Sequence, residues 1–217
     1  MDELKFLSND VLDLLELSED IVFNKIAKEE IKYFIEESRR IGKDKANKVL
    51  KNKFKDFNDV DKFLKDKKVD IYIKDEKLSG SVLYGRAEIE ISNEKKIINL
   101  YKDSLNQLYE SLNTFGITVS EEEVYRIHLT HELYHLLEYL DNEYTEKFMR
   151  NVRVLKFGPF RREVRVMKTR EIAAHNFCKE FLNLKFHPKL MDYIYLIDNN
   201  LITVEELKNK ISRLRGR

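Results

Sequence analysis

The chain has 217 residues, enough to bury a hydrophobic core without staples, and its 40 basic against 39 acidic residues leave no global field to select nucleic acid or an anionic membrane. Its single cysteine, Cys178, excludes an intrachain disulfide framework and fits a reducing compartment, so the cytoplasm is the expected location. Six glycines, two prolines and no run approaching 18 apolar residues give a helix-rich α+β expectation without a membrane span, and the charged MDELKFLSND lacks the layout of a signal peptide.

Ser8 opens a short helix carrying Val11, Leu12, Leu14, Leu15 and Leu17. A longer helix is expected from Ser18 through Ile21, Val22, Ile26, Ile31, Phe34 and Ile35 toward Gly42. Residues 43–57 are strongly basic and read as a solvated helix face, with a nucleic-acid contact as the alternative. Asn58 is placed to cap a short helix ending near Lys67.

Alternating apolar and polar residues predict strands at 69–74 and 87–92, and a turn at Asn93, Glu94 and Lys95 makes the second a hairpin with 96–101. A helix follows from about Lys102 to Asn113. Ser120 and Glu123 form a capping-box signature at the start of the next one, which is apolar on most of its circumference. Residues 150–170 hold eight cations against one acid and read as two extended segments joined at Gly158-Pro159. A helix over 171–184 carries Ala174, Phe177, Cys178 and Phe181 on one stripe. Two more follow, around 191–197 and after a cap formed by Thr203 and Glu206.

The capped helix contains HLTHELYH, residues 128–135, with three of the chain's five histidines. Helical spacing points His131 and His135 the same way, so both imidazoles can bind one metal ion while Glu132 sits beside the open position. A catalytic zinc usually takes three protein ligands. Glu171, 36 residues after His135 at the start of its own helix, is the candidate third, with Glu138 as the local rival. His128 shares the face of His131 and reads as a supporting or core histidine. His175, one turn after Glu171, is a candidate hydrogen-bond donor to a reacting carbonyl or a support for a ligand, with Tyr144 and His187 behind it.

HELYHLLE followed by EIAAHNFCKEFL resembles the ImmA/IrrE-like metallopeptidases, whose members show HELGH and then a helix of the form E-x-x-A-(N/D)-x-F-A. The resemblance covers roughly residues 69–184. It implies a zincin-like α+β domain in which His131, His135 and Glu171 bind Zn2+, Glu132 is the general base, and Ala174 and Phe177 pack. It also implies a restricted peptide or protein substrate, with transcriptional repressors the class associated with the family. Tyr134 stands where the family has glycine, Cys178 where it has alanine, and His175 where related zinc peptidases often carry an acidic or amide side chain; the basic insertion lengthens the spacing between the motifs.

The expected organisation is an N-terminal helical region over 1–68 packed on the core, a zincin-like core over 69–187 with the insertion at 150–170, and C-terminal helices over 188–217. Residues 87–101 could offer a sheet edge to an extended peptide. Two other readings stand beside the zinc peptidase: a metal-binding regulatory or protein-interaction module of the same fold without turnover, and a metal-free protein with hydrogen-bonded core histidines.

Overall fold

The computed structural model describes residues 2–54, 57–75, 85–157 and 160–216. It is α+β, dominated by helices around a small mixed sheet. Helix α1 (Asn9–Ser18) starts at Ser8, whose hydroxyl accepts from Val11 N–H. Asp20 then breaks the helical path: its carboxylate accepts from Val22 N–H at 2.9 Å and from Lys168 N–H at 2.8 Å. The expected helix therefore does not start at Ser18; it forms only from Lys28. Ile21 is exposed, Val22 and Ile26 flank a single 3-10 turn, and α2 begins at Lys28 and runs unbroken to Asn52.

Gly42, expected near the end of that helix, lies in its middle. A Cβ there would sit 2.1 Å from the backbone oxygen of Ala173, so only glycine lets α2 approach helix α6 (Lys168–Phe181) this closely. The basic stretch after Gly42 is not wholly solvated, because Ala46, Val49 and Phe54 are buried and Lys45 is buried in an ion pair with Asp141 at 3.4 Å. Helix α3 (Asn58–Asp66) follows; Asn58 is its first residue and Phe57 the cap.

Strands β1 (Asp70–Lys74), β2 (Ala87–Ile91) and β3 (Lys96–Tyr101) form one sheet in the order β1-β3-β2, with β3 parallel to β1 and antiparallel to β2. Ile98, Asn99 and Leu100 are buried on the central strand, whereas Tyr72 and Ile73 on edge strand β1 are exposed, so the alternation there marks pleat and not burial. The expected hairpin is the β2–β3 pair. Helix α4 (Lys102–Thr114) leads to α5 (Glu121–Asp141), where the Ser120–Glu123 capping box is formed in both directions.

A short 3-10 turn (Thr145–Phe148) precedes strands β4 (Val152–Phe157) and β5 (Phe160–Val164), which among the described residues pair only with each other. The expected turn at Gly158-Pro159 lies outside the described residues. Helices α7 (Lys189–Asp198) and α8 (Val204–Gly216) complete the chain, the second opened by reciprocal Thr203–Glu206 bonds.

One hydrophobic cluster joins residues from all regions of the chain, including Leu12, Leu64, Leu108, Leu133, Phe177 and Ile211. A second, with Leu17, Phe34, Val152 and Ile172, lies under the base of the β4–β5 pair. Among the described residues, no helix is long and apolar enough to cross a membrane.

The close approach at Gly42 has a measurable sign. Gly→Ala inside a helix ordinarily stabilises by about 1 kcal/mol, but Gly42→Ala should destabilise the fold by about 1–3 kcal/mol through overpacking against a backbone that cannot be trimmed. Urea denaturation reads this directly, and an increase in midpoint would contradict the packing of α2 on α6.

Candidate metal centre

Helix α5 carries His131 and His135 one turn apart, and α6 brings Glu171 against them. His131 Nε2 lies 3.2 Å from His135 Nε2 and 3.2 Å from Glu171 Oε2, and His135 Nε2 lies 3.6 Å from Glu171 Oε1. Three donor atoms on one tetrahedral ion, each at about 2.0–2.1 Å, would stand about 3.3–3.4 Å apart. In this structure the two imidazoles face different oxygens of Glu171, but one donor atom from each of the three side chains lies within 4.8 Å of the other two, so the group could hold a metal ion, and two imidazoles with one carboxylate suit Zn2+. Glu171 is 35% exposed, so the group is reachable from solvent.

What positions the donors is an interlocked set of buried polar groups. Glu138, fully buried, accepts from His135 Nδ1 at 3.2 Å, from Thr145 N–H at 2.8 Å and hydroxyl at 2.6 Å, and from Arg170 Nε at 2.9 Å. Donation from Nδ1 fixes the ring orientation of His135 and leaves Nε2 facing Glu171, where it carries a proton in the metal-free protein and would offer its lone pair once a metal displaced that proton. Glu138 thus supports a donor and does not compete with Glu171. Tyr134, at the glycine position of the motif, is buried against Phe177, and its hydroxyl donates to Thr145. At the other helix, Lys168 N–H bonded to Asp20 anchors the first turn of α6, and Arg170 ties that turn to Glu138.

Charge follows from this geometry. Burial alone would lower the pKa of His135, but Glu138, Glu171 and Glu132 outweigh it and raise it to about 10. Burial likewise opposes ionisation of Glu171 and Glu138, yet the bonds to the histidines hold Glu171 well below the usual carboxylate range. Those from His135 and Thr145, with the Arg170 charge, lower Glu138. Glu132 differs: burial pushes its pKa up, and His131 and His135 offset this only in part.

Glu132 lines both cavities that open on the group. A groove of about 630 Å³ runs between edge strand β2 and α5, bordered by Glu88, Ile89, Tyr144 and Arg170. A smaller cavity of about 210 Å³ lies on the His131 side, bordered by His128, His175, Arg86, Lys189 and Asp192.

The remaining candidates fall into place around these spaces. His175 is buried with its ring centroid 5.1 Å from that of His131, and its Nδ1 has no hydrogen-bond partner among the described residues. Burial and the adjacent His131 and His187 hold its pKa well below the histidine range, so it is neutral. His128 donates from Nδ1 to the Val124 carbonyl at 2.8 Å, and burial takes its pKa down to about 4; it stands outside the metal group. Tyr144 borders the groove, with the Arg170 guanidinium 5.3 Å from its ring centroid. His187 is committed elsewhere: Nε2 donates to Asp13 at 2.9 Å, and Nδ1 accepts from Lys189 N–H. Sequence reasoning missed Thr145, Arg170 and Asp20 as supports; only the position of Glu138 three residues after His135 offered a signal.

No protein-family model, curated protein or solved structure matches the chain.

Two outcomes follow. Glu138→Gln should weaken Zn2+ binding about 10–100-fold with the fold retained, as read by competition with a chromophoric chelator; unchanged affinity would remove Glu138 as the orienting group. Because the pKa of His135 is raised to about 10, an ion binding at neutral pH must displace its proton. Zn2+ affinity should therefore rise with pH toward that value. The stability that protonated His135 gives the metal-free protein runs the other way: it is fully present below about 6.5 and lost as pH climbs through about 10. Calorimetry in buffers of different ionisation enthalpy would detect the released proton.

Proposed function

We propose that the chain is a zinc-dependent peptidase with a zincin-like fold, hydrolysing peptide bonds in a restricted protein substrate. The observation that carries the reading is the convergence of His131, His135 and Glu171, one donor atom from each within 4.8 Å of the others, with Glu132 beside them at the junction of two cavities.

When bound, Zn2+ supplies the Lewis acidity that activates water for attack on a carbonyl. The chain supplies the rest. Glu132, made more basic by burial, takes the proton from the attacking water and delivers it to the leaving amine. Glu138 keeps His135 in one tautomer, and Arg170 keeps Glu138 ionised and in place. His175, neutral and bordering the smaller cavity, is the donor assigned to the carbonyl oxygen. An extended substrate would lie along the free edge of β2, whose outer side borders the groove. The single cysteine is buried, consistent with action in a reducing compartment.

The first test is elemental zinc per chain on protein purified without a histidine tag. About one ion per chain, lost or weakened in Glu171→Ala, is expected; no metal even after zinc is supplied would reject the reading. The second is cleavage of a peptide library. Glu132→Gln should keep the zinc and abolish cleavage, whereas a non-catalytic metal-binding module would cut nothing in either form.

A further inference from the structure

Strands β4 and β5 form a ribbon that leaves the body of the protein. Val152 is buried at its base, but beyond it Leu155 is 56% and Phe160 72% exposed, and every residue of β5 from Phe160 to Glu163 is exposed. Leu155 pairs with Arg162, so Leu155, Phe160 and Arg162 share one face; Arg153 pairs with Glu163, so Arg153, Glu163 and Arg161 share the other. Arg161 and Arg162 have no acidic partner among the described residues, and Arg153 and Arg165 reach Glu163 and Glu146 only at 4.0 and 3.9 Å. Cations therefore face solvent on both sides of the ribbon.

A two-stranded ribbon wet on both faces is marginal by itself, and a third strand is the usual remedy. The two edges differ. A bulge between Arg153 and Leu155 interrupts β4, while β5 continues unbroken and has no strand beside its outer edge among the described residues. An unbroken edge presents backbone donors and acceptors in register for another chain.

We propose that the outer edge of β5 is the docking site for an extended acidic segment of a partner protein, which adds to the ribbon as a third strand. An added strand lies in the plane of the sheet and places successive side chains on alternate faces, so its acids meet Arg161 on one side and Arg162 on the other while apolar residues cover Phe160. A bilayer would contact one face and leave the cations on the other in water. Duplex nucleic acid would bring phosphates but no apolar surface for Leu155 and Phe160. A second copy of the same edge would bring together four arginines, Arg161 and Arg162 from each copy, with only one Glu163 per copy to offset them. The docking site does not depend on the metal chemistry.

The test uses the full chain carrying Glu132→Gln, so that turnover does not contribute. Fluorescence anisotropy would follow a labelled peptide of Glu-Glu-Val repeats, the same peptide with alternate backbone amides N-methylated, a labelled DNA duplex, and phosphatidylserine vesicles in competition. The unmodified peptide should bind saturably and more weakly as salt is raised. N-methylation and the pair Arg161→Glu, Arg162→Glu should each reduce affinity at least about tenfold, while Arg161→Lys, Arg162→Lys should stay near wild type. Equal binding of the N-methylated peptide, indifference to the charge reversal, no peptide binding, or binding only of DNA or vesicles would overturn the proposal.

Discussion

The close meeting of α5 and α6 is the contact on which the rest of the site depends. Two imidazoles one turn apart on one helix need a carboxylate from another, and tolerance for such a constellation is roughly 0.5 Å. Well-fitted side chains hold the approach: Phe177 packs on Tyr134, and the small Cys178 thiol lies 3.6 Å from the Ile127 carbonyl of α5. The fit is then fixed at the site end by hydrogen bonds, since Arg170 and His135 share the carboxylate of Glu138. Apolar packing sets how near the helices come, and the polar network sets their rotation and register.

The same division of labour recurs around α1. Asp13 is fully buried and holds Arg39 of α2, Asn176 of α6 and His187 ahead of α7. Glu16, one turn on, binds Lys168 at 2.7 Å and Lys189 at 2.6 Å. Buried ion pairs add little net stability against well-packed apolar replacements, because desolvation offsets their attraction. Their effect here is orientation: α1 links the first turn of α6, where Glu171 sits, to the start of α7, which borders the smaller cavity.

Local patterns in the sequence were enough to locate most helices, both capping boxes, the β2–β3 hairpin and the spacing that brings His131, His135 and Glu171 together. What they missed had non-local causes. The helix expected from Ser18 starts ten residues late because Asp20 bonds a backbone amide 148 residues away, which no local periodicity encodes. Gly42 looked like a terminator because glycine usually is one, yet its role is contact with a different helix. Glu138 reads only as a rival ligand to Glu171, and the arrival of Thr145 and Arg170 from outside the helix makes it a support for His135 instead. His187 was a plausible donor until Asp13, from the first helix, took its Nε2.

The contact at Gly42 also bears on how substitutions can accumulate. Most overpacked core positions admit a compensating truncation in the neighbouring side chain. Here the obstructing atom is a peptide oxygen of Ala173, present whatever residue occupies position 173. No second-site suppressor at the point of collision exists. Relief would require sliding or tilting α6, and with it Glu171, so position 42 is coupled to the His131–His135–Glu171 group without touching it: a lineage that lost this glycine would have to rebuild that group along with the helix pair.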